Sequence, residues 1–271
     1  MQHSLYGAGN GRPEEEHLID THCHLNDIEA FPDVGPEIAE AARFGIDRMI
    51  VVGVQPDEWE RTVHMTQQHE ALFCILGWHP NYTANFDPAV LERLEKLLEN
   101  PKVLALGEIG LDYHWDYSPK DAQFKALHAQ LDLAERISKP VVFHAREAYS
   151  DLLDVLEARP VRPYLFHCFA GDQQDAKRAM ALGAYFGVDG PITYKKSEEL
   201  RSLVRSLPRE RIVVETDAPY LSPMPFRGKQ NRPAYVRNVA EGLAIALGIS
   251  YAECETLTTE NAQRFFGEQL G

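Results

Sequence analysis

Four histidines and two carboxylates stand at the ends of short apolar segments that are far apart in the chain. They are His22, His24, Glu108, His144, His167 and Asp217. Imidazole nitrogens and carboxylate oxygens together suit divalent cations such as Zn²⁺, Mn²⁺ and Mg²⁺. Two carboxylates brought together without a cation would repel each other, so a metal site is the favoured interpretation if the fold unites these groups. The set predicts a metal-dependent hydrolase.

Each member of the set has a structural explanation when it is taken alone. His22 and His24 flank Cys23, and because side chains alternate along a strand, the two imidazoles share a face. His144 and His167 each follow an apolar run, where a single histidine is usually a hydrogen-bonded core residue. Glu108, alone, could cap a helix. Their equivalent positions at strand ends favour one joint site.

Asp217 follows the last strand-like segment, and three roles are open to it. It could ligate metal, activate the attacking water, or do both. Glu215 has the same strand parity but lies deeper in the predicted barrel, and Asp20 stands in the same relation to His22. We expect these two carboxylates to orient ligands rather than to bind metal themselves.

The segments that must position these residues alternate between strand and helix patterns. The predicted strand segments are 18–20, 49–52, 72–76, 103–106, 141–143, 164–166, 185–188 and 212–214. The predicted helices are 36–44, 56–69, 87–98, 119–137, 148–156, 172–182, 197–207, 233–247 and 259–266. Eight βα units with short connections predict an α/β protein, an amidohydrolase-like (β/α)₈ TIM barrel, whose active site lies at the carboxyl ends of the strands.

Length and composition fit this architecture. The 271 residues suit a single barrel of about 250 residues, predicted over 17–271 after a flexible tail at 1–16. The formal charge is −14, from 27 basic and 41 acidic residues, which disfavours a broad basic face for nucleic acid. A nucleic-acid substrate would be held locally, by metals and a few cations at the mouth of the site.

The remaining composition points to a cytoplasmic protein. The four cysteines form no CxxC pair, which favours reduced thiols over a disulfide framework. The first 16 residues contain no apolar core of the kind found in signal peptides. No segment approaches the roughly 18 apolar residues of a membrane span, and the sequence leaves the oligomeric state open.

Several cations could contact a phosphate. Arg146 lies two residues beyond His144, so it should face the same mouth and could neutralise a phosphate oxygen. Arg227, Lys229 and Arg232 form the densest cationic stretch, in the loop after the last strand. A solvated loop is the alternative interpretation for all four.

Three aromatic residues alternate after Glu108, namely Tyr113, Trp115 and Tyr117. They could stack on the bases of a single-stranded substrate, since every base offers a π-face. Packing over the barrel rim is an equally good interpretation.

Several motifs, taken in order, resemble the TatD family of metal-dependent deoxyribonucleases. They are 19–25 (IDTHCHL), 77–80 (GWHP), 107–113 (GEIGLDY), 143–146 (FHAR), 167–171 (HCFAG), 215–221 (ETDAPYL), 227–229 (RGK) and 258–261 (TTEN). The resemblance implies a TIM barrel with a two-metal centre. By it, His22, His24 and Asp217 hold one ion, His144 and His167 hold the other, and Glu108 bridges them. It also places His79 near the scissile phosphate, although a core or capping histidine is an alternative.

The expected activity is phosphodiester hydrolysis of DNA, as an exonuclease acting on single strands or 3′ ends. Two divalent ions, of Mg²⁺, Mn²⁺ or Zn²⁺, would activate water, with Asp217 taking its proton and Glu108 as the second catalytic residue. The alternative is an ester or amide hydrolase, such as a D-aminoacyl-tRNA deacylase. A binding protein on an inactive barrel is disfavoured because every ligand position is filled.

Overall fold

A computed structural model describes residues 17–160 and 162–271. Eight parallel strands follow one another around a single sheet in the order of the chain. The strands are β1 Leu18–Cys23, β2 Ile46–Gly53, β3 Leu72–Leu76, β4 Val103–Asp112, β5 Val141–Arg146, β6 Tyr164–Phe166, β7 Tyr185–Val188 and β8 Ile212–Val214. The α-helices are α1 Gly35–Arg43, α2 Pro56–Gln68, α3 Leu91–Leu98, α4 Lys120–Ile137, α5 Tyr149–Glu157, α6 Gln173–Ala181, α7 Glu198–Ser206, α8 Val236–Leu247 and α9 Tyr251–Phe266.

The sheet closes just beyond the ends of β1 and β8. Cys23 pairs with Ala218 in a parallel bridge, the amide of Asp217 donates to the carbonyl of His22 at 2.9 Å, and the amide of His24 donates to the carbonyl of Ala218 at 2.7 Å. The predicted (β/α)₈ TIM barrel is therefore confirmed. The barrel closes beside the predicted ligands His22, His24 and Asp217. The ends of β1 and β8 are therefore fixed to each other at the site.

Apolar side chains fill the barrel below the site. Inward-facing residues of the strands, such as Ile50, Ile75 and Val213, form one buried cluster. The end of α9 adds Phe265 and Phe266 to this cluster, so the C-terminal helix covers the floor of the barrel. A second cluster lies between the strands and the outer helices. The apolar cluster inside the barrel lies away from the predicted ligands, which stand at the carboxyl ends of the strands.

Several predicted elements were shorter than the observed ones, among them the last helix and the fourth strand. The helix predicted over 259–266 begins at Tyr251, because Ser250 caps it and exchanges hydrogen bonds with Glu253 in a capping box. The strand predicted over 103–106 continues to Asp112. Gly110 has φ of +149°, and a Cβ there would lie 1.9 Å from the His144 carbonyl oxygen. Because Gly110 has no Cβ, β4 can lie close to β5 at this point and continue beyond it.

The predicted tail, 1–16, lies outside the described residues. Within the described part of the chain, no helix is long and apolar enough to span a membrane.

Candidate metal centre

The structure brings all six predicted ligands together at the carboxyl ends of the strands. Glu108 is central: its Oε1 lies 2.8 Å from Nδ1 of His144 and 2.6 Å from Nε2 of His167, and its Oε2 lies 3.6 Å from Nε2 of His22. On the β8 side, Oδ1 of Asp217 lies 3.2 Å from Nε2 of His24 and 3.8 Å from Nε2 of His22. The distances join residues of five strands or strand ends into one group.

Within the described residues, three sets of side chains could each share a cation. In each set, the donor atoms lie within 4.8 Å of one another. The sets are His22, Glu108 and His167; His22, His24 and Asp217; and His79, Glu108 and His144. His22 is fully buried, yet neither of its ring nitrogens has a hydrogen-bond partner. A buried imidazole without partners is costly, so the group fits a bound divalent cation.

The carboxylates of the site are held in their charged forms. Burial opposes the charge of Glu108, but the charge of His167 and the hydrogen bonds of His144 and His167 hold its pKa well below the usual value. Burial likewise opposes ionisation of Asp217, and the hydrogen bond and charge of His24 lower its pKa. Both side chains are thus anionic at neutral pH, as ligands of a cation must be.

Asp112 supports His144 from the side away from Glu108. Its Oδ2 lies 3.0 Å from Nε2 of His144 and also accepts a hydrogen bond from Nδ2 of Asn81 at 3.1 Å. Burial would raise the pKa of Asp112, but the hydrogen bond and charge of His144 bring it down to about 2. Asp112 was not predicted from the sequence as part of the site. Its signal was present, because positions 108 and 112 have the same parity on one strand.

Glu215 occupies the corresponding position behind His167. Its Oε1 lies 3.5 Å from Nδ1 of His167 and accepts a hydrogen bond from the amide of Cys168 at 2.5 Å. The carboxylate lies directly over Gly187, where an added Cβ would come within 2.5 Å of Oε2. The geometry agrees with the predicted orienting role of Glu215, and it explains why β7 has a glycine at this point.

A set of hydrogen bonds fixes the turn that presents Asp217, whose φ is +55°. Asp20 accepts from both the amide and the hydroxyl of Thr216, at 2.9 and 2.6 Å. Nδ2 of the buried Asn231 donates to the carbonyls of Thr216 and Tyr220, at 2.7 and 2.6 Å. Left-handed backbone is unfavourable for aspartate unless its surroundings impose it, and these contacts do so. Burial raises the pKa of Asp20 to about 8, against the hydrogen bonds from Thr216.

His79 faces Glu108 as a neutral hydrogen-bond donor. Its Nδ1 accepts a hydrogen bond from the amide of Asn81 at 3.1 Å, and burial together with the charge of His144 lowers its pKa to about 3. The single proton of the neutral ring is therefore on Nε2, which lies 3.7 Å from Oε1 of Glu108. This tautomer favours contact with a substrate oxygen over metal ligation.

The site opens into a cavity of about 1190 Å³ whose lining includes His24, Glu108, His144, Arg146 and Asp217. The predicted substrate cations are divided by the fold. Arg146 lines this cavity, whereas Arg227 and Lys229 are not among the described residues that do so. The guanidinium of Arg227 lies over the ring of Tyr194, 4.3 Å from its centroid. Arg232 forms ion pairs with Glu37 and Glu40 of α1, so its charge is already engaged.

The three alternating aromatic residues are divided as well. The hydroxyl of Tyr113 donates to Asp151 at 2.5 Å, and Nζ of Lys120 lies 3.4 Å from its ring centroid. Tyr113 also packs against the core. Trp115 and Tyr117 instead are exposed and line the cavity. The interpretation as a packed rim residue therefore holds for Tyr113, but not for Trp115 and Tyr117.

Comparison with known proteins shows the family of the chain. Residues 19–267 match the family described as TatD related DNase. The chain belongs to the TatD family. A relative from Bacillus subtilis, the uncharacterized metal-dependent hydrolase YabD, is 36% identical, with 92% of this chain and 98% of that protein covered. The 3′-5′ ssDNA/RNA exonuclease TatD of Erwinia amylovora is 31% identical, with 92% and 100% covered.

Solved structures with the same fold include a TatD homolog. The crystal structure of YjjV, a TatD homolog from Escherichia coli, has a TM-score of 0.86 at 31% identity and covers 92% of this chain and 97% of its own. An uncharacterized amidohydrolase from Saccharomyces cerevisiae, at 19% identity, shares the fold with a TM-score of 0.83. The chain is a metal-dependent hydrolase of the TatD family.

Proposed function

We propose that this protein hydrolyses phosphodiester bonds of single-stranded DNA from the 3′ end, using two divalent ions of Mg²⁺, Mn²⁺ or Zn²⁺. The observation that carries the proposal is the position of Glu108. Its carboxylate belongs to two of the three ligand sets, as a group shared between two cations would. A single-ion site would need no carboxylate at the centre of two sets.

The resemblance to the TatD family implies how the six ligands would divide between two ions. His22, His24 and Asp217 would hold one ion, His144 and His167 would hold the other, and Glu108, whose carboxylate lies near histidines of both groups, would serve both. When bound, these cations supply positive charge that stabilises the oxygens of an in-line displacement and makes water more acidic. Asp112 and Glu215 orient the histidines of the second ion from behind.

The remaining chemistry falls to side chains of the cavity. Asp217, anionic at neutral pH, accepts the proton of the attacking water, a contribution of roughly 10²- to 10⁴-fold in rate. The Nε2–H of His79 donates to a phosphate oxygen, and the guanidinium of Arg146 contacts the same group from the β5 side of the cavity.

The local charge at the cavity suits a nucleic-acid substrate, although the net charge of the chain does not. The chain is strongly acidic, yet Arg146 stands at the cavity and no carboxylate within the described residues pairs with it at ion-pair distance. The Erwinia relatives named 3′-5′ ssDNA/RNA exonuclease support the same substrate class. Glu108 occupies the place where an amide hydrolase would use a carbamylated lysine, which favours phosphodiester chemistry.

The test is to incubate metal-loaded protein separately with 3′- and 5′-labelled single-stranded DNA, duplex DNA, RNA and D-aminoacyl-tRNA. The ligand variant His144→Ala is the matched control. Stepwise shortening of single-stranded DNA from its 3′ end, abolished by EDTA and absent in His144→Ala, is the expected result. Inert DNA beside rapid deacylation would replace the proposal with the ester-hydrolase alternative. Internal cuts would overturn the exonuclease assignment.

A further inference from the structure

Trp115 and Tyr117 form a stacked pair at the mouth of the cavity. Their rings are nearly parallel, at 10°, with centroids 5.4 Å apart, and the side chains are 43% and 61% exposed. Both residues line the cavity that holds Glu108 and Asp217. Adjacent large aromatic rings exposed to water at a cavity mouth mark a binding surface. We call Trp115 and Tyr117 the aromatic platform.

The charges around the cavity are unequal on its two sides, although the β4 side also carries the carboxylate of Asp112, which pairs with His144. The guanidinium of Arg146 lies 5.6 Å from the ring centroid of Trp115, so the platform and a cation stand together at the ends of β4 and β5. On the opposite side of the eight-stranded ring, at the ends of β1 and β2, three carboxylates line the cavity, those of Asp27, Glu29 and Glu58. Arg61 also lies there and donates to the Asn26 carbonyl.

This asymmetry directs a polyanion to one side. Phosphates are attracted to Arg146 and repelled by the carboxylates across the cavity. A nucleic-acid strand that places its scissile phosphate at the ligands therefore passes over the aromatic platform. The two rings cover one face of each other, so a base would stack on an outer face of the pair. Inside a duplex the neighbouring pairs cover the faces of the bases, whereas an unpaired nucleotide can turn its base onto a ring.

We propose that the aromatic platform stacks on unpaired bases next to the scissile phosphate, and that this contact makes the enzyme prefer single-stranded ends. The inference rests on the proposed function and assigns strand preference to Trp115 and Tyr117, with Arg146 contacting the adjoining phosphate. Stacking contributes about 5- to 150-fold in affinity per base. A phosphate chain without bases would lack this gain.

Tryptophan fluorescence measures the contact directly. Of the three tryptophans, Trp59 and Trp78 are buried and Trp115 is exposed, so a base stacked at the mouth should quench Trp115. The titrants are a single-stranded phosphorothioate oligonucleotide, which resists hydrolysis, and the same chain with abasic sites at its last three 3′ positions. Both are added to metal-loaded protein, with anisotropy of a labelled chain as the second readout.

The wild type should bind the base-bearing chain at least about 5-fold more tightly than the abasic chain, with quenching only by the former. The double variant Trp115→Ala/Tyr117→Ala should bind the two chains equally. Phe44→Ala, which removes a similarly exposed aromatic residue on the loop after α1, should keep the wild-type difference. Equal binding by the wild type, or an undiminished difference in the double variant, would overturn the inference.

Failure of the inference and of the proposed function give different results. If the proposed function fails, metal-loaded wild type cleaves no ordinary oligonucleotide, whatever the binding shows. If only the inference fails, cleavage occurs and the double variant retains the wild-type ratio of kcat/KM for single-stranded over duplex DNA. The inference expects that ratio to fall at least about 5-fold in the double variant.

Discussion

The Oδ2 atom of Asp112 lies 3.0 Å from Nε2 of His144, while the other ring nitrogen of that histidine faces Glu108 at 2.8 Å. A carboxylate behind a ligating histidine fixes the tautomer and the orientation of the ring and makes the ligand more basic. Asp112 is therefore expected to control how tightly the ion next to His144 is held, without touching that ion.

Asp112→Asn should weaken metal binding about 10- to 100-fold. The amide is neutral and stabilises the ligating imidazole less, so activity should return in large part at saturating metal. Isothermal titration of the apo protein and activity measured against metal concentration check this. Asp116→Asn, which changes an exposed acid in the loop that follows β4, is the matched control. Equal metal affinity in Asp112→Asn and Asp116→Asn would contradict the role.

Glu108→Ala should lose bound metal and nearly all activity together, because its carboxylate belongs to two ligand sets. The measurement is metal content by elemental analysis alongside turnover of the labelled oligonucleotide. Circular dichroism shows whether the barrel is intact. Full turnover at matched metal occupancy would refute the bridging role.

His79→Ala should reduce kcat/KM about 10²- to 10³-fold, the usual cost of removing one donor to a developing oxyanion, while metal content stays at the wild-type level. The Nε2–H donor of a neutral ring predicts this combination. Since His79 also belongs to a possible ligand set with Glu108 and His144, loss of an ion in the variant would instead make His79 a metal ligand.

Gly187→Ala should destabilise the protein by about 1–3 kcal/mol, the typical cost of overpacking, and should also weaken metal binding. The added methyl would meet the buried carboxylate of Glu215, which contacts His167. Urea denaturation and metal titration measure the two effects. The shorter side chain in Gly187→Ala/Glu215→Asp should relieve the clash, so the two substitutions should be less than additive in the free energy of unfolding. Strict additivity would contradict the contact.

Asn231→Ala should cost about 1–3 kcal/mol of stability and reduce kcat, since it removes the donor from two carbonyls of the turn that presents Asp217. Gln230→Ala is the matched control, because Gln230 is exposed and its amide donates only to the carbonyl of Ala30 among the described contacts. Thermal unfolding and steady-state kinetics measure both. The turn would not depend on Asn231 if the two variants behaved alike.

The barrel and the six ligands could be predicted from sequence because both depend on local pattern. Apolar segments at regular spacing specify the strands, and the carboxyl ends of parallel strands meet at one end of a barrel. His144 and His167 could be predicted as ligands from their positions directly after such segments. Asp112 was missed because the fourth strand was predicted to end at residue 106, which hid the shared parity of Glu108 and Asp112 on β4.

Other features depend on partners that are distant in the chain. Arg232 is engaged by Glu37 and Glu40, about 190 residues earlier, and no local pattern indicates that pairing. Tyr113 and Trp115 are two positions apart in the chain. Tyr113 nevertheless packs against the core, whereas Trp115 stacks on Tyr117 at the cavity mouth. The path of a loop decides such differences, and loop paths follow from tertiary contacts rather than from residue type.

The closed floor beneath the metal centre restricts how a polymer can be processed. Interior side chains and the end of α9 fill the barrel below the ligands, so a strand cannot thread through the molecule. Under the proposed exonuclease activity, a chain end that enters the cavity would stop at the ligands, and the released nucleotide would leave by the opening through which the strand arrived. Each round of shortening would then require the strand to withdraw or shift before its product could pass, so product release and strand movement would limit each other.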